Sequence, residues 1–288
     1  MSVASLRGAV RPAVNRLYQY LSGAYVAGPE LADAVRAMDR FARSGHASTL
    51  GYFNADDDSP QAIATRNASA LEAIAANRRA GYVSIKAPAL GFDNELIEGI
   101  ARVSSRTGVG IHFDSHAIEA ADSTFGCIER ALQETENVGC TLPGRWTRSL
   151  GDVSRAASLG LRVRVVKGQW ADPSDPGRDP HTGYLQLVDR LAGRVRAVGV
   201  ATHDPELARA ALRRLRNAGT PVELELLFGL PLKAATSVAR EEGVPVCIYV
   251  PFGHGWMPYA MSQLRRRPGI ALWMLKDAMS AAVLRARA

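Results

Sequence analysis

Eight short runs of mostly β-branched and aliphatic residues recur along this chain at intervals of roughly 25 to 35 residues, the length of one strand–helix unit. The runs are Ser48–Phe53, Tyr82–Lys86, Gly108–Asp114, Asn137–Leu142, Arg162–Val166, Ala197–Ala201, Val222–Leu226 and Val244–Val250. Between them lie stretches with helical periodicity. Residues 60–79 form one, and in residues 204–217 Leu207, Ala211, Leu212 and Leu215 fall on one stripe. Asp204-Pro205 offers an N-cap followed by proline at the first helical position. Eight such alternations without a long linker predict a closed parallel sheet, because each crossover helix covers the outer face of its strands. The expected fold is therefore an α/β (βα)8 barrel of the TIM type, and 288 residues suit one such domain, spanning 1–288. Residues 1–44 are predicted as an N-terminal helical extension packed on the barrel. Residues 271–288 are predicted as an outer amphipathic helix, and 169–180, rich in Pro, Asp and Gly, as a long loop after strand five.

Composition narrows the class of partner. No run of about 18 apolar residues exists, so no membrane span is expected. The N-terminus lacks a basic-then-apolar signal with a small-residue cleavage site, which predicts a cytoplasmic protein. The formal net charge is +7, but the arginines behind it are scattered over helical stretches, as at Arg209, Arg213, Arg214 and Arg216. They carry no interleaved aromatics and read as solvated faces, so no nucleic-acid partner is expected. Cys127, Cys140 and Cys247 lie far apart in no ligand spacing and read as reduced core residues. His112 and His116 flank Asp114 at the end of a strand, where a four-residue spacing does not converge, so no metal is expected. Glycine patterns for a Rossmann or P-loop phosphate site are absent.

A barrel enzyme carries its chemistry at the carboxyl ends of its strands. Strand two ends at Lys86, strand three at Asp114 and strand five at Lys167-Gly168. Thr202, His203 and Asp204 follow strand six, Glu223 and Glu225 lie on strand seven, and Tyr249 on strand eight. Packing alone does not explain so many polar groups at one end of apolar strands. Taken by themselves these residues leave the reaction open. Lys86 or Lys167 suits a Schiff-base nucleophile, and the backbone N–H groups at Lys167-Gly168 and Thr202-His203 suit a phosphate or dinucleotide.

In this order the strand ends resemble the proline dehydrogenase family. The segments are YVSIK at 82–86 with ALG at 89–91, IHFD at 111–114, VRVVKG at 163–168, ATHD at 201–204, ELELLFG at 223–229 and IYVPFG at 248–253, followed by Trp256, Pro258 and Tyr259. The resemblance implies a barrel that binds FAD at the strand ends and passes a hydride from substrate to flavin N5. It implies that Arg164 stands near N5 and that Val166, Lys167, Gly168, Trp170, Thr202, His203, Asp204 and Glu225 line the cofactor. Lys86, Asp114, Leu227, Tyr249 and Tyr259 would surround the substrate, with Ser262 and Gln263 beside them. Lys86, Asp114, Arg164, Tyr249 and Tyr259 are the expected catalytic set.

Three departures from the family pattern set the expectation for substrate. Where the family carries an Arg-Arg pair that clamps a carboxylate, this chain has Ser262 and Gln263. Loss of such a charged partner at a desolvated site is worth on the order of 2–5 kcal/mol. Arg266 or Arg267, one helical turn later, would be the replacement if one exists. Pro143 and Glu225 each stand where the family has a flavin-contacting glutamine. An acid there needs protonation, or pairing with Lys167 or Arg164. The leading expectation is an FAD-dependent oxidoreductase acting on a C–N or N–N bond of an amine- or imine-type substrate other than free proline, plausible for a specialised biosynthetic pathway, with a quinone or oxygen as electron acceptor. A proline dehydrogenase with a rearranged carboxylate site, and a barrel without flavin, are the alternatives.

Overall fold

A computed structural model describes residues 26–255. Its eight strands are β1 (Ala47–Tyr52), β2 (Gly81–Ile85), β3 (Gly110–Phe113), β4 (Val138–Pro143), β5 (Arg162–Val166), β6 (Ala197–Ala201), β7 (Val222–Leu227) and β8 (Val246–Phe252). All pair in parallel in sequence order, and β8 closes on β1 with Ala47 opposite Cys247. The predicted (βα)8 barrel is the fold observed. The helices are α1 (Leu31–Arg43) before the first strand, then α2 (Pro60–Ala76), α3 (Asn94–Thr107), α4 (Ala121–Ala131), α5 (Ser149–Ser158), α6 (Pro180–Leu191), α7 (Pro205–Asn217) and α8 (Lys233–Glu241). No helix among the described residues is long and apolar enough to cross a membrane.

Local chemistry fixes these boundaries. Ser59, Asp93, Asp179 and Asp204 cap α2, α3, α6 and α7 with side-chain oxygens that accept first-turn N–H groups, and α2, α6 and α7 begin with proline. Strand three starts two residues later than the sequence pattern predicts. Gly108, at φ 70°, is the left-handed cap of α3 rather than a strand residue. Strand eight runs two residues further than expected, because Pro251 and Phe252 still pair with Gly51 and Tyr52.

The two faces of the strands have opposite chemistry. Outward residues such as Leu50, Val83, Ile111, Leu142, Val163, Val198, Leu224 and Val250 are buried against the helices and form the core. Cys127, Cys140 and Cys247 are all buried free thiols. Ala34, Ala37 and Met38 of α1 belong to the same core, and Ala27 donates its N–H to Pro251 O at 3.0 Å, which fastens that segment to β8. The expected helical content of 1–25 and 271–288, and the positions of Tyr259, Ser262, Gln263, Arg266 and Arg267, lie outside the described residues.

Candidate active site

Inward residues alternate along each strand, so a polar i, i+2 pattern places its members one above another inside the barrel. Tyr82, Ser84 and Lys86 rise along β2, His112 and Asp114 along β3, Arg162 and Arg164 along β5, and Glu223 and Glu225 along β7. Large charged groups fit here because some neighbours are glycine. A Cβ on Gly51 would collide with the Tyr249 hydroxyl, and one on Gly199 would collide with Glu225 Oε1.

Arg164 is the hub. Its Nε donates to Glu225 Oε2 at 2.7 Å, Nη1 to Asp114 Oδ1 at 2.6 Å, and Nη2 to the Tyr82 hydroxyl at 3.3 Å. Asp114 also accepts from Ser84 Oγ at 2.6 Å and from the Tyr249 hydroxyl at 3.0 Å. Burial and the adjacent Asp114 carboxylate push the Tyr249 phenol well up, so it stays a neutral donor. One level below, Arg162 donates to Glu225 Oε1 at 2.5 Å, to the Tyr82 hydroxyl at 2.6 Å, and to Glu223. Burial alone would raise the Glu225 carboxyl, but Arg164 and then Arg162 outweigh it and hold it below the usual range. Glu225 is thus an ion-paired carboxylate. Its partners are Arg164, as one of the two expected options, and Arg162, while Lys167 pairs instead with Asp204 at 3.6 Å.

Histidine tautomers follow from their partners. His112 Nδ1 faces the Arg162 guanidinium at 3.3 Å, so Nε2 carries the proton toward Thr141 Oγ1 at 3.0 Å. Burial, then Arg164 and Arg162, hold its pKa well below the usual 6.5. His203 Nε2 accepts the Leu227 N–H at 2.9 Å, which leaves Nδ1 to donate to Pro231 O at 3.1 Å. Both ring nitrogens of His203 therefore serve as a strut from the end of β6 to the end of β7, and Leu227 is held by that strut.

At the rim, Lys86 Nζ donates to Tyr52 O at 2.6 Å and stands 4.1 Å over the Phe53 ring. It forms no ion pair with the described residues, and burial pulls its pKa down to about 8. Gly168, at φ 97°, turns the chain after Val166, and a Cβ there would strike Pro143. Pro143 is the buried last residue of β4, opposite Val166. Thr202 and Asp204 are engaged in the start of α7, where Asp204 Oδ1 accepts two first-turn N–H groups. Trp170 is exposed, stacks on His116 with centroids 6.1 Å apart, and has its carbonyl held by Trp146 Nε1 at 3.1 Å. His116 Nε2 is buried without a hydrogen-bond partner among the described residues. The expected residues Lys86, Asp114, Arg164, Glu225 and Tyr249 therefore lie in one cluster at the centre. Val166, Lys167, Gly168, Trp170, Thr202, His203, Asp204 and Leu227 end or follow β5, β6 and β7 on the same side of the barrel. Arg162, Tyr82, Ser84 and Thr141 belong to the same network and were not among the expected site residues. Their signal was the inward i, i+2 alternation, which the strand-end reading did not use.

A closed parallel barrel with its polar groups at the carboxyl ends of the strands is an enzyme scaffold, here with a charged rather than apolar interior. Comparison with known proteins gives its kinship. No protein-family model matches the chain. Proline dehydrogenase 1 of Bacillus subtilis strain 168 is 26% identical over 270 residues, covering 88% of each chain, and the proline dehydrogenase of Deinococcus radiodurans is 27% identical over 298, covering 95% of this chain and 96% of its own. Among solved structures, proline utilization A of Bdellovibrio bacteriovorus superposes with a TM-score of 0.77 at 14% identity, and that of Corynebacterium freiburgense with 0.69 at 20%. These cover 90% and 88% of this chain but 34% and 31% of those longer chains, and they establish the fold. The chain is thus similar to proline dehydrogenases over most of its length.

Proposed function

We propose that this protein is an FAD-dependent oxidoreductase that removes a hydride from a C–N or N–N bond of an amine- or imine-type substrate other than free proline. The observation that carries the reading is the Asp114–Arg164–Glu225 cluster beneath Lys86 and Tyr249, at the end of the barrel where such enzymes work. The fit to FAD rests on the rim and the buried donors: Arg164, held between Glu225 and Asp114, offers a fixed guanidinium, Trp170 and His116 offer a stacked aromatic pair, and His116 Nε2 is a buried nitrogen with no described partner. FAD, when bound, supplies the hydride acceptor at N5. The chain's own residues do the rest. Lys86 and Tyr249 orient the substrate, Asp114 fixes the Tyr249 hydroxyl, and the His203 strut sets Leu227 against the substrate.

The electrostatics favour a substrate without a carboxylate. Arg164 is matched by two carboxylates, Lys167 by Asp204, and Arg162 by Glu223 and Glu225. Among the described residues of this cluster little positive charge is left to receive an anion, and Ser262 and Gln263 carry none. A second reading, oxidation of proline itself with its carboxylate on Lys86, is favoured by one observation: Lys86 has no ion-pair partner among the described residues. Anaerobic bleaching of the flavin absorbance across matched amines with and without a carboxylate separates the two. Amines lacking the carboxylate should bleach at least about tenfold faster, the effect of about 1.4 kcal/mol. Fastest bleaching by proline establishes the second reading, and a colourless protein that refuses added FAD sinks both.

A further inference from the structure

We propose that Arg162 and Glu225 form a single built-in pair that positions Arg164 and sets how much positive charge the barrel floor presents to the cofactor above it. The inference rests on the functional reading just given. Its geometric part is independent of any bound group.

Arg162 enters from the first residue of β5, two residues below Arg164 on the same inward row. Glu225 lies between them and gives one carboxylate oxygen to each, Oε1 to Arg162 at 2.5 Å and Oε2 to Arg164 at 2.7 Å. The Tyr82 hydroxyl accepts from both guanidiniums, at 2.6 and 3.3 Å, and ties their outer edges together. On β6, the strand between β5 and β7, Gly199 carries no side chain, and the space so left holds Glu225 Oε1. Arg164 is thereby fixed at Nε by Glu225 and at Nη1 by Asp114, which leaves its guanidinium plane no freedom to turn.

This arrangement explains why an acid stands where the resemblance implies a glutamine. An amide has one accepting oxygen and one donating nitrogen. Between two guanidiniums that both donate, its nitrogen would face a donor. With Arg162 present, only a carboxylate satisfies both neighbours, and with Glu225 present, a second cation offsets the charge that Arg164, already paired with Asp114, cannot balance alone. Arg162 and Glu225 therefore act as one unit. Arg162 is a positioning residue, acting through Glu225 on Arg164.

The test uses the full chain carrying Arg162→Met, Glu225→Gln, or both, without and with FAD. In the ligand-free chain each single substitution should lower the melting temperature by roughly 5–10 °C, and the double should lose clearly less than the sum. In the FAD-loaded chain, Arg162→Met leaves an uncompensated carboxylate and should shift the flavin midpoint potential negative. Glu225→Gln removes that carboxylate and should shift it positive, and the double should return close to wild type. A merely structural pair would lower the melting temperature and leave the potential unmoved. Arg162→Lys, which keeps the charge, should fold where methionine fails and hold the potential near wild type. Additive melting losses overturn the inference and leave the functional reading standing, and so do unmoved potentials in folded, yellow single variants. Failure of the wild-type chain to take up FAD overturns the functional reading, and the melting cycle then decides the pairing by itself.

Discussion

The same grouping, a glutamate held by several arginines, occurs twice in this molecule in different surroundings. On the outside, Glu242 accepts from Arg209 at 3.0 Å and Arg213 at 2.9 Å, with Arg216 at 3.8 Å. These arginines are one-third to more than half exposed, so water screens them and each pair contributes little to stability. Inside, Glu225 and Arg164 are 2% and 5% exposed, and protein groups rather than water balance them, Arg162 beside the glutamate and Asp114 beside the arginine. Composition counts both groups alike. Geometry separates a solvated helix face from a charged barrel floor. Counting floor and rim together, Arg162, Arg164 and Lys86 stand against Glu223, Glu225 and Asp114, three cations against three carboxylates.

The sharpest way to break this contrast is to remove the hub. Arg164→Ala leaves Asp114 and Glu225 buried without their shared cation and should lower the free energy of unfolding by about 3–5 kcal/mol, read by urea denaturation. It should also abolish substrate-dependent bleaching of the flavin. A variant as stable as wild type would mean that the interior network is no more than the outer one. The deepest histidine adds a pH dependence with a definite sign. His112 titrates well below 6.5 in the folded chain, and His116 and His203 are also lowered by burial, so below pH about 6.5 the unfolded chain binds protons that the folded chain refuses. Stability should therefore fall as pH drops below about 6.5, and His112→Asn should flatten that fall in a melting series. An unchanged slope would show that His112 does not titrate as its contacts require.

Much of this was legible in the sequence, and for stated reasons. The strands could be found because both the barrel wall and its filling write short β-branched runs, and β5 and β6 match the predicted bounds. The rim residues Lys86, Asp114 and Tyr249 could be found because a lysine, a carboxylate and a phenol at strand ends contradict simple packing. Arg162 could not, because it opens its strand at the end opposite the rim and one charged residue at a strand start is ordinary. Its meaning depends on which oxygen of Glu225 it meets, and that is set by the register of β5, β6 and β7 and by Gly199. Tyr82 was hidden in the same way, since nothing in YVSIK tells that its hydroxyl spans two arginines. His203 was legible as a polar group after β6, but not as a strut with both nitrogens taken.

A smaller effect distinguishes the rim from the floor. Lys86 has a pKa pulled down to about 8 by burial, so it carries its charge at neutral pH and loses it above about 8. If Lys86 holds an anionic substrate group, the rate of flavin bleaching at subsaturating substrate should drop above pH about 8. If it takes a proton from the amine, the rate should rise there instead. Lys86→Met should remove the inflection in either case, and an inflection that survives the substitution belongs to another group.

The smallest expected change comes from the outer cluster and serves as the reference for all the others. Arg209→Ala removes two ion pairs, to Glu241 at 2.6 Å and to Glu242 at 3.0 Å, on a face that water already reaches. Arg213 remains on Glu242 at 2.9 Å, so the nearly buried carboxylate keeps a cation and is not orphaned. The loss in unfolding free energy should be a small fraction of that of Arg164→Ala, shrink further in 0.5–1 M salt as screening tightens, and leave the flavin spectrum untouched. A loss as large as that of Arg164→Ala would mean that depth does not separate the two clusters, and that the charged floor owes its position to packing rather than to the carboxylates around it.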